Sequence, residues 1–389
     1  MCQLLCHLDT SSVLILKTSM KTNSIFSILL TCIITLLTAC TPQRTHVESS
    51  HENIMLKNIS ELTISEIVDS IHTIILDDRS EAIVGNIDKI RIVDSTIYIG
   101  DFTSNVITAF DLNGNYLFHI DNIGQGPGEY VAIKSFAADS KHLYVIDNWT
   151  GKLIKYDAIN GTYQNESKMP FVAWDIEVID SNKLLFTYVP MQGGSLLNKQ
   201  PPYRLFITDM ELNIKEKLLE FSFGEPDKIG QKLYFTQNDK NIVFGSLFFD
   251  GYTLLDKETT NIDHINIDFN NSLIGQDNVD VHDVNKYQFL TDPPFVCSHY
   301  TYLSMNDNGI IKECIYDSQT KNLLYNSRES ARNYLLPVIG VTNNNFIAAL
   351  SGIDTYRELV NHGFYLNNST KIENTLNKEG MVLVFYKLK

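Results

Sequence analysis

Lys89-Ile-Arg-Ile-Val-Asp94, Thr96-Ile-Tyr-Ile-Gly-Asp101, Val106-Ile-Thr-Ala-Phe-Asp111 and Tyr116-Leu-Phe-His-Ile120 are four short runs rich in β-branched and aromatic residues, parted by tight turns. Alternation of this kind predicts four antiparallel strands. Asn113-Gly114 before the last run predicts a type I′ hairpin, which needs two positive φ angles. The same order returns in His142-Leu-Tyr-Val-Ile-Asp147, Leu153-Ile-Lys-Tyr-Asp157 and Asn160-Gly161. Tyr98 to Tyr144 and Asp111 to Asp157 are both 46 residues apart, so the two units are in register. The strand-ending aspartate continues as Asp209, Asp256 and Asp317, at intervals of 52, 47 and 61. Thr208 and Leu255 replace the preceding aromatic residue, and Tyr316 restores it.

A period near 40–50 residues with four strands per unit is the mark of a β-propeller blade. The reading is therefore an all-β, six-bladed β-propeller of four-stranded antiparallel blades, near 85–125, 131–168, 172–220, 231–269, 293–327 and 333–389. A pair of β-sandwiches gives no reason for the constant register. The chain ends in an apolar strand, Val382 to Tyr386, and Ile71 to Leu76 is expected to complete the same blade, closing the ring with both termini. Helical spacing is confined to 61–70 and 328–335, and the segment 270–292 reads as an insertion on one face.

Of the 389 residues, 44% are apolar and 20% charged, which excludes a disordered tail. The net charge of −15 excludes nucleic acid as a natural partner, because phosphates would be repelled. Residues Ile25 to Ala39 form an uncharged block of fifteen, preceded by Lys21 and followed by Cys40. That is too short to span a bilayer, which takes about 20 residues, and it reads as a secretory signal. Residues 1–39 are thus assigned as signal peptide, with 1–19 an upstream extension before Met20, and 58–389 as propeller. Leu37-Thr38-Ala39-Cys40 resembles the lipobox of bacterial lipoproteins, and the resemblance implies an acylated Cys40 as first mature residue. Residues 40–57 would then be a lipidated flexible tether to the membrane. Thr41 after the cysteine implies the outer membrane, and the lack of an acidic cluster favours the periplasmic side. Loss of Lys17, Lys21 and Asp9 with the leader leaves a net charge of −16 over 350 residues. Cys2, Cys6 and Cys32 leave with it too, and Cys297 and Cys314 remain. If Met305 pairs with Ile310, Cys314 faces Thr301, about 13 Å along the strand from Cys297 and beyond disulfide reach, so two free thiols are expected.

Ile123-Gly124-Gln125-Gly126-Pro127-Gly128-Glu129-Tyr130 places three glycines and a proline within five positions at a blade junction. Glycine permits positive φ and close backbone approach, and Pro127 restricts Gly126. Together with Asp111-Leu-Asn-Gly114, Val84-Gly-Asn-Ile-Asp-Lys-Ile90 and the terminal Phe385-Tyr-Lys-Leu-Lys389, this motif resembles the six-bladed β-propeller lipoproteins of Gram-negative anaerobes. The resemblance covers roughly residues 60–389. It implies the fold and secretion, and no activity.

Chemistry is sparser. The glycine loop lacks the following helix and the Lys-Ser/Thr pair of a phosphate cradle, so Gly124, Gly126, Pro127 and Gly128 are read as structural. Asp280, His282 and Asp283 lie close in sequence without telling metal-ligand spacing and read as a solvated loop. Asp101 and Asp147 occupy equivalent blade positions and are expected to accept hydrogen bonds from the next turn. The rival role, a cation at the axis, resembles that in calcium-dependent propeller lactonases. Trp149 and Trp174 are placed where rings could line a mouth. No catalytic residue, cofactor or metal ligand is assigned. The reading is a non-catalytic exported lipoprotein whose loop face binds a peptide, glycan or partner protein; the alternative is a metal-dependent propeller hydrolase or lyase with its site at the central channel.

Overall fold

The computed structural model describes residues 49–57, 59–188, 203–220, 230–247, 249–272, 283–329 and 333–389. The leader, Cys40, Asp280 and His282 lie outside them. The first strands are β1 (Ser49–Met55) and β2 (Ser60–Glu61), then one helical turn, α1 (Ile64–Ile67), and β3 (Val68–Ile75). Blade 1 is the meander β4 (Lys89–Val93), β5 (Thr96–Asp101), β6 (Val106–Asp111) and β7 (Tyr116–Ile120). Blade 2 comprises β8 (Ser135–Ala138), β9 (His142–Asp147), β10 (Lys152–Asp157) and β11 (Tyr163–Lys168). In blade 3 the strands are β12 (Asp175–Asp180), β13 (Lys183–Thr187), β14 (Tyr203–Thr208) and β15 (Ile214–Glu220). Blade 4 has β16 (Phe235–Gln237), β17 (Asn241–Gly245), β18 (Gly251–Asp256) and β19 (Ile262–Asp268). In blade 5, β20 (Gln288–Leu290) and β21 (Phe295–Cys297) share the partner β22 (Tyr300–Asp307), followed by β23 (Ile310–Asp317) and β24 (Asn322–Tyr325). Blade 6 has β25 (Val338–Thr342) and β26 (Asn345–Leu350), then helices α2 (Ile353–Asn361) and α3 (Ser369–Leu376), then β27 (Val382–Leu388).

The six blades close as expected, since β3 is the outer strand of blade 6 and pairs antiparallel with β27, Ile75 facing Val382 and Ile71 facing Tyr386. Six main apolar clusters fill the ring, each drawn from two neighbouring blades. Middle strands such as β5 are therefore buried on both faces, whereas the outer strand β11 is largely exposed. The aspartates that carried the repeat all stand where the third strand of a blade ends. Each accepts backbone amides of the next turn: Asp111 from Asn113 and Asn115, Asp157 from Ile159 and Asn160, Asp209 from Glu211 and Asn213. Asp256 and Asp317 do the same with Glu258 and Thr259 and with Gln319 and Thr320. In blade 6 the third strand is the end of the chain, and the strand from the N-terminal side stands where the turn would lead.

Several expectations are corrected. Gly114 and Gly161 have positive φ but the asparagines before them do not, so these are not type I′ turns. The aspartate closes each instead, with Gly114 N donating to Asp111 O and Gly161 N to Asp157 O. The two-residue turn with two positive φ values is at Asn308-Gly309, where Asp307 pairs with Ile310. Cys314 therefore faces Leu303 rather than Thr301, and both thiols are still free and buried. Helices α2 and α3 were not foreseen; each buries two residues, Tyr356 and Leu359 in one, Ile372 and Leu376 in the other. Of the two stretches with helical spacing, 61–70 yields only α1, and 330–332 lie outside the described residues. Segment 270–292 contributes β20 to blade 5. Residues 49–55, assigned to the tether, form β1, which adds in parallel to β19, and β2 adds in parallel to β24. The chain from Ser49 to Ile75 thus lies along the outer edges of blades 4, 5 and 6 in turn.

Candidate functional site

The inner strands all run in one direction along the axis, so their beginnings define an upper mouth and their ends a lower one. In β4, alternation puts Lys89 and Arg91 on one side of the strand, and in β12 it does the same for Asp175 and Glu177. These four charged side chains fill the channel and are at most 5% exposed. Lys89 Nζ lies 2.7 Å from Asp175 Oδ1 and 2.8 Å from Glu177 Oε1, and donates to Ile176 O at 2.9 Å and Ser135 Oγ at 3.1 Å. Arg91 Nε meets the Glu177 oxygens at 3.0 and 3.2 Å, and its Nη2 reaches Phe235 O on the opposite blade at 3.2 Å. Asp175 Oδ2 accepts the amides of Tyr234 and Phe235, each at 2.9 Å. Burial pushes the Asp175 carboxyl up, but the Lys89 ammonium and these hydrogen bonds outweigh it and hold the group below its ordinary value. The channel is closed by a neutral quartet joining blades 1, 3 and 4.

This quartet was not singled out in the sequence. Its signal was a matched pair of alternations, Lys89-Ile-Arg91 and Asp175-Ile-Glu177, each cation 86 residues before its anion at the start of an inner strand.

Above the quartet is a pit of about 330 Å³ between blades 1, 4, 5 and 6. Asp88 and Lys232 bridge blades 1 and 4 across its rim at 2.7 Å. Phe295 and Tyr302 supply apolar surface, and Ser304, Asp292 and Glu313 line it with polar groups. Asp88 also accepts the Phe102 amide at 2.8 Å. Glu313 accepts from Asn326 Nδ2 at 2.8 Å, and burial raises its carboxyl above the usual range. At the same mouth the Lys134 ammonium lies 4.6 Å over the Trp174 ring, and burial lowers its pKa. Trp149 projects from the β9–β10 turn of this face and is 79% exposed. Below the quartet is a second pit of about 280 Å³.

The glycine loop is held to blade 2. Gly126 N donates to Glu129 Oε2 at 2.8 Å, Gly128 N to Glu166 Oε2 at 3.0 Å, and Tyr156 Oη to Gly128 O at 2.7 Å. Gly124 N donates to Tyr130 O, Lys152 Nζ to Gly126 O, and Tyr130 is fully buried. Asp101 accepts the amides of Asn86, Thr103 and Ser104, and Asp147 those of Val131, Trp149 and Thr150. Both therefore tie a turn to the preceding linker. Asp283 pairs with Lys286 at 3.2 Å on the surface. Among the described residues, no three His, Cys, Asp or Glu side chains are gathered so as to hold a metal ion.

A family model described as a domain of unknown function, DUF4934, matches residues 49–382. No curated protein matches. Among solved structures, a Bacteroides fragilis protein described as exported is 16% identical, with 87% of this chain and 99% of that one covered, at a TM-score of 0.69. A member of the DUF4221 family from Bacteroides vulgatus is 11% identical over 83% and 97% of the two chains, at 0.47.

Proposed function

The chain belongs to the DUF4934 family, and from the geometry of its axis we propose a non-catalytic binding protein of the cell envelope. Its ligand, a peptide, a glycan or a partner protein, would occupy the upper mouth. The observation that carries this reading is the division of the channel: its centre is filled by ion-paired side chains, while a pit of about 330 Å³ with apolar and polar walls stays open above. A metal-dependent hydrolase or lyase would need free carboxylates converging on the axis. The two at the channel centre, Asp175 and Glu177, are committed to Lys89 and Arg91, and among the described residues no three His, Cys, Asp or Glu side chains are gathered at the pit above them.

The uncharged block before Cys40 and its resemblance to a lipobox support an acylated outer-membrane protein facing the periplasm. The description of the Bacteroides fragilis structure as exported points the same way. Two measurements test the proposal. Fatty-acid labelling should disappear in Cys40→Ala, and persistent label would refute the anchor. Melting curves in panels of envelope glycans and peptides should show a ligand that stabilises the parent protein. That stabilisation should be lost in Glu313→Gln and in Ser304→Trp, which fills the pit. A ligand that stabilises both variants equally would place binding elsewhere.

A further inference from the structure

The lower pit differs from the upper one because it contains a lysine without an acidic partner. Lys257 follows Asp256 at the end of β18, and its ammonium donates to Asn238 O at 2.7 Å. No carboxylate of the described residues lies within 4 Å of Nζ, whereas Arg91, the other cation of the lining, is bound to Glu177. The charged groups facing Lys257 are Glu177 from β12, Arg91 from β4 and Asp239 from the β16–β17 turn. Burial has the largest influence and lowers its pKa from 10.5. Lys257 is half-buried, and Asn238 O takes one of its three donors, so the others can meet an acceptor that enters the pit. Gln237 of blade 4 and Thr342 of blade 6 also line the pit, and both carry side chains able to donate.

We propose that the lower pit binds one carboxylate group, with Lys257 Nζ as its charge partner. The carboxylate belongs to an acidic sugar or to a peptide C-terminus. A phosphate dianion fits less well. Only one cation of the lining is available, and the exposed Asp94 and Asp239 also line this mouth. The site is independent of what the upper mouth holds, and the strongly acidic surface makes its selectivity local.

Calorimetry on the full chain at constant ionic strength tests this with glucuronate against glucose, and acetyl-dialanine against its C-terminal amide. At least one acid should bind and its neutral counterpart should not; which acid binds identifies the source of the carboxylate. Lys257→Met should weaken binding tenfold or more, and Lys257→Arg should keep most of it. Only the protonated ammonium attracts the anion, so affinity in the parent should fall as pH rises through a value below that of an ordinary lysine. Failure of both acids, equal binding of the neutral compounds, or an unchanged affinity in Lys257→Met would overturn the proposal. If Lys257→Met does not fold, an affinity that holds constant to pH 10 in the parent overturns it equally.

Discussion

At Gly128 the backbone φ is +74°, and a β-carbon would stand 2.6 Å from the Tyr163 ring. Gly126 has no positive φ, and the atom nearest its missing β-carbon is the movable Glu129 carboxylate at 3.0 Å. Gly128→Ala should therefore lower stability by about 1–3 kcal/mol in a thermal or chemical melt, and Gly126→Ala by clearly less. Equal effects would mean that the loop is not held in this conformation. The sequence motif does not tell which glycine matters, because that depends on a ring from blade 2. A second prediction concerns the turn aspartates. Hydrogen bonds from Lys215 and Asn213 hold the Asp209 carboxyl down at about 2 against an ordinary 3.8. A carboxyl lowered in the folded state favours folding above its unfolded value and loses that effect as pH falls through its folded value. Asp111, Asp256 and Asp317 are lowered too. Glu313 acts in the opposite sense, since its raised carboxyl makes the ionised form costly. Stability should thus decline between about pH 4 and pH 2, and Asp209→Asn should show a shallower decline there; an identical pH profile would contradict the role of this turn.

At the scale of elements, the N-terminal chain does more than close the ring. Ile54 of β1 is fully buried in the cluster between blades 4 and 5, and Tyr316 Oη donates to Glu52 Oε1 at 2.6 Å. If β1 belongs to the cooperative unit, Ile54→Ala should cost about 2–5 kcal/mol in equilibrium unfolding, the range for a buried isoleucine. A melt like that of the parent would show a loosely attached tail. The blades and their closure were legible because the alternation recurs from blade to blade and five of the six blades share the turn aspartate. β1 was not, since Ser49-Ser-His-Glu-Asn-Ile-Met55 has no alternation and gains its pairing only from the edge of β19. Helices α2 and α3 escaped for a related reason: with two buried residues each, their apolar stripe is too thin to stand out, and packing on blade 6 sustains them.

For the whole molecule, the ring depends on what fills its middle. Six wedge-like sheets leave a channel, and here the inner strands of blades 1, 3 and 4 are joined across it by two cations and two anions excluded from water. Sequence reasoning could not place these side chains, because their meeting depends on the angle between blades. The matched spacing of Lys89 with Asp175 and Arg91 with Glu177 becomes meaningful only once the ring is closed. The quartet is a structural seal if its charges serve to hold the blades together, with recognition proposed at the mouths; in an enzyme the axial residues would do chemistry instead. Residues kept for chemistry commonly reduce stability, so removing one leaves a protein equally or more stable. Removing one partner of a buried ion network instead strands the others without a counter-charge. The decisive measurement is the unfolding free energy of Lys89→Met by chemical denaturation. A loss of about 3–5 kcal/mol is predicted, and stability equal to or above that of the parent would contradict the seal.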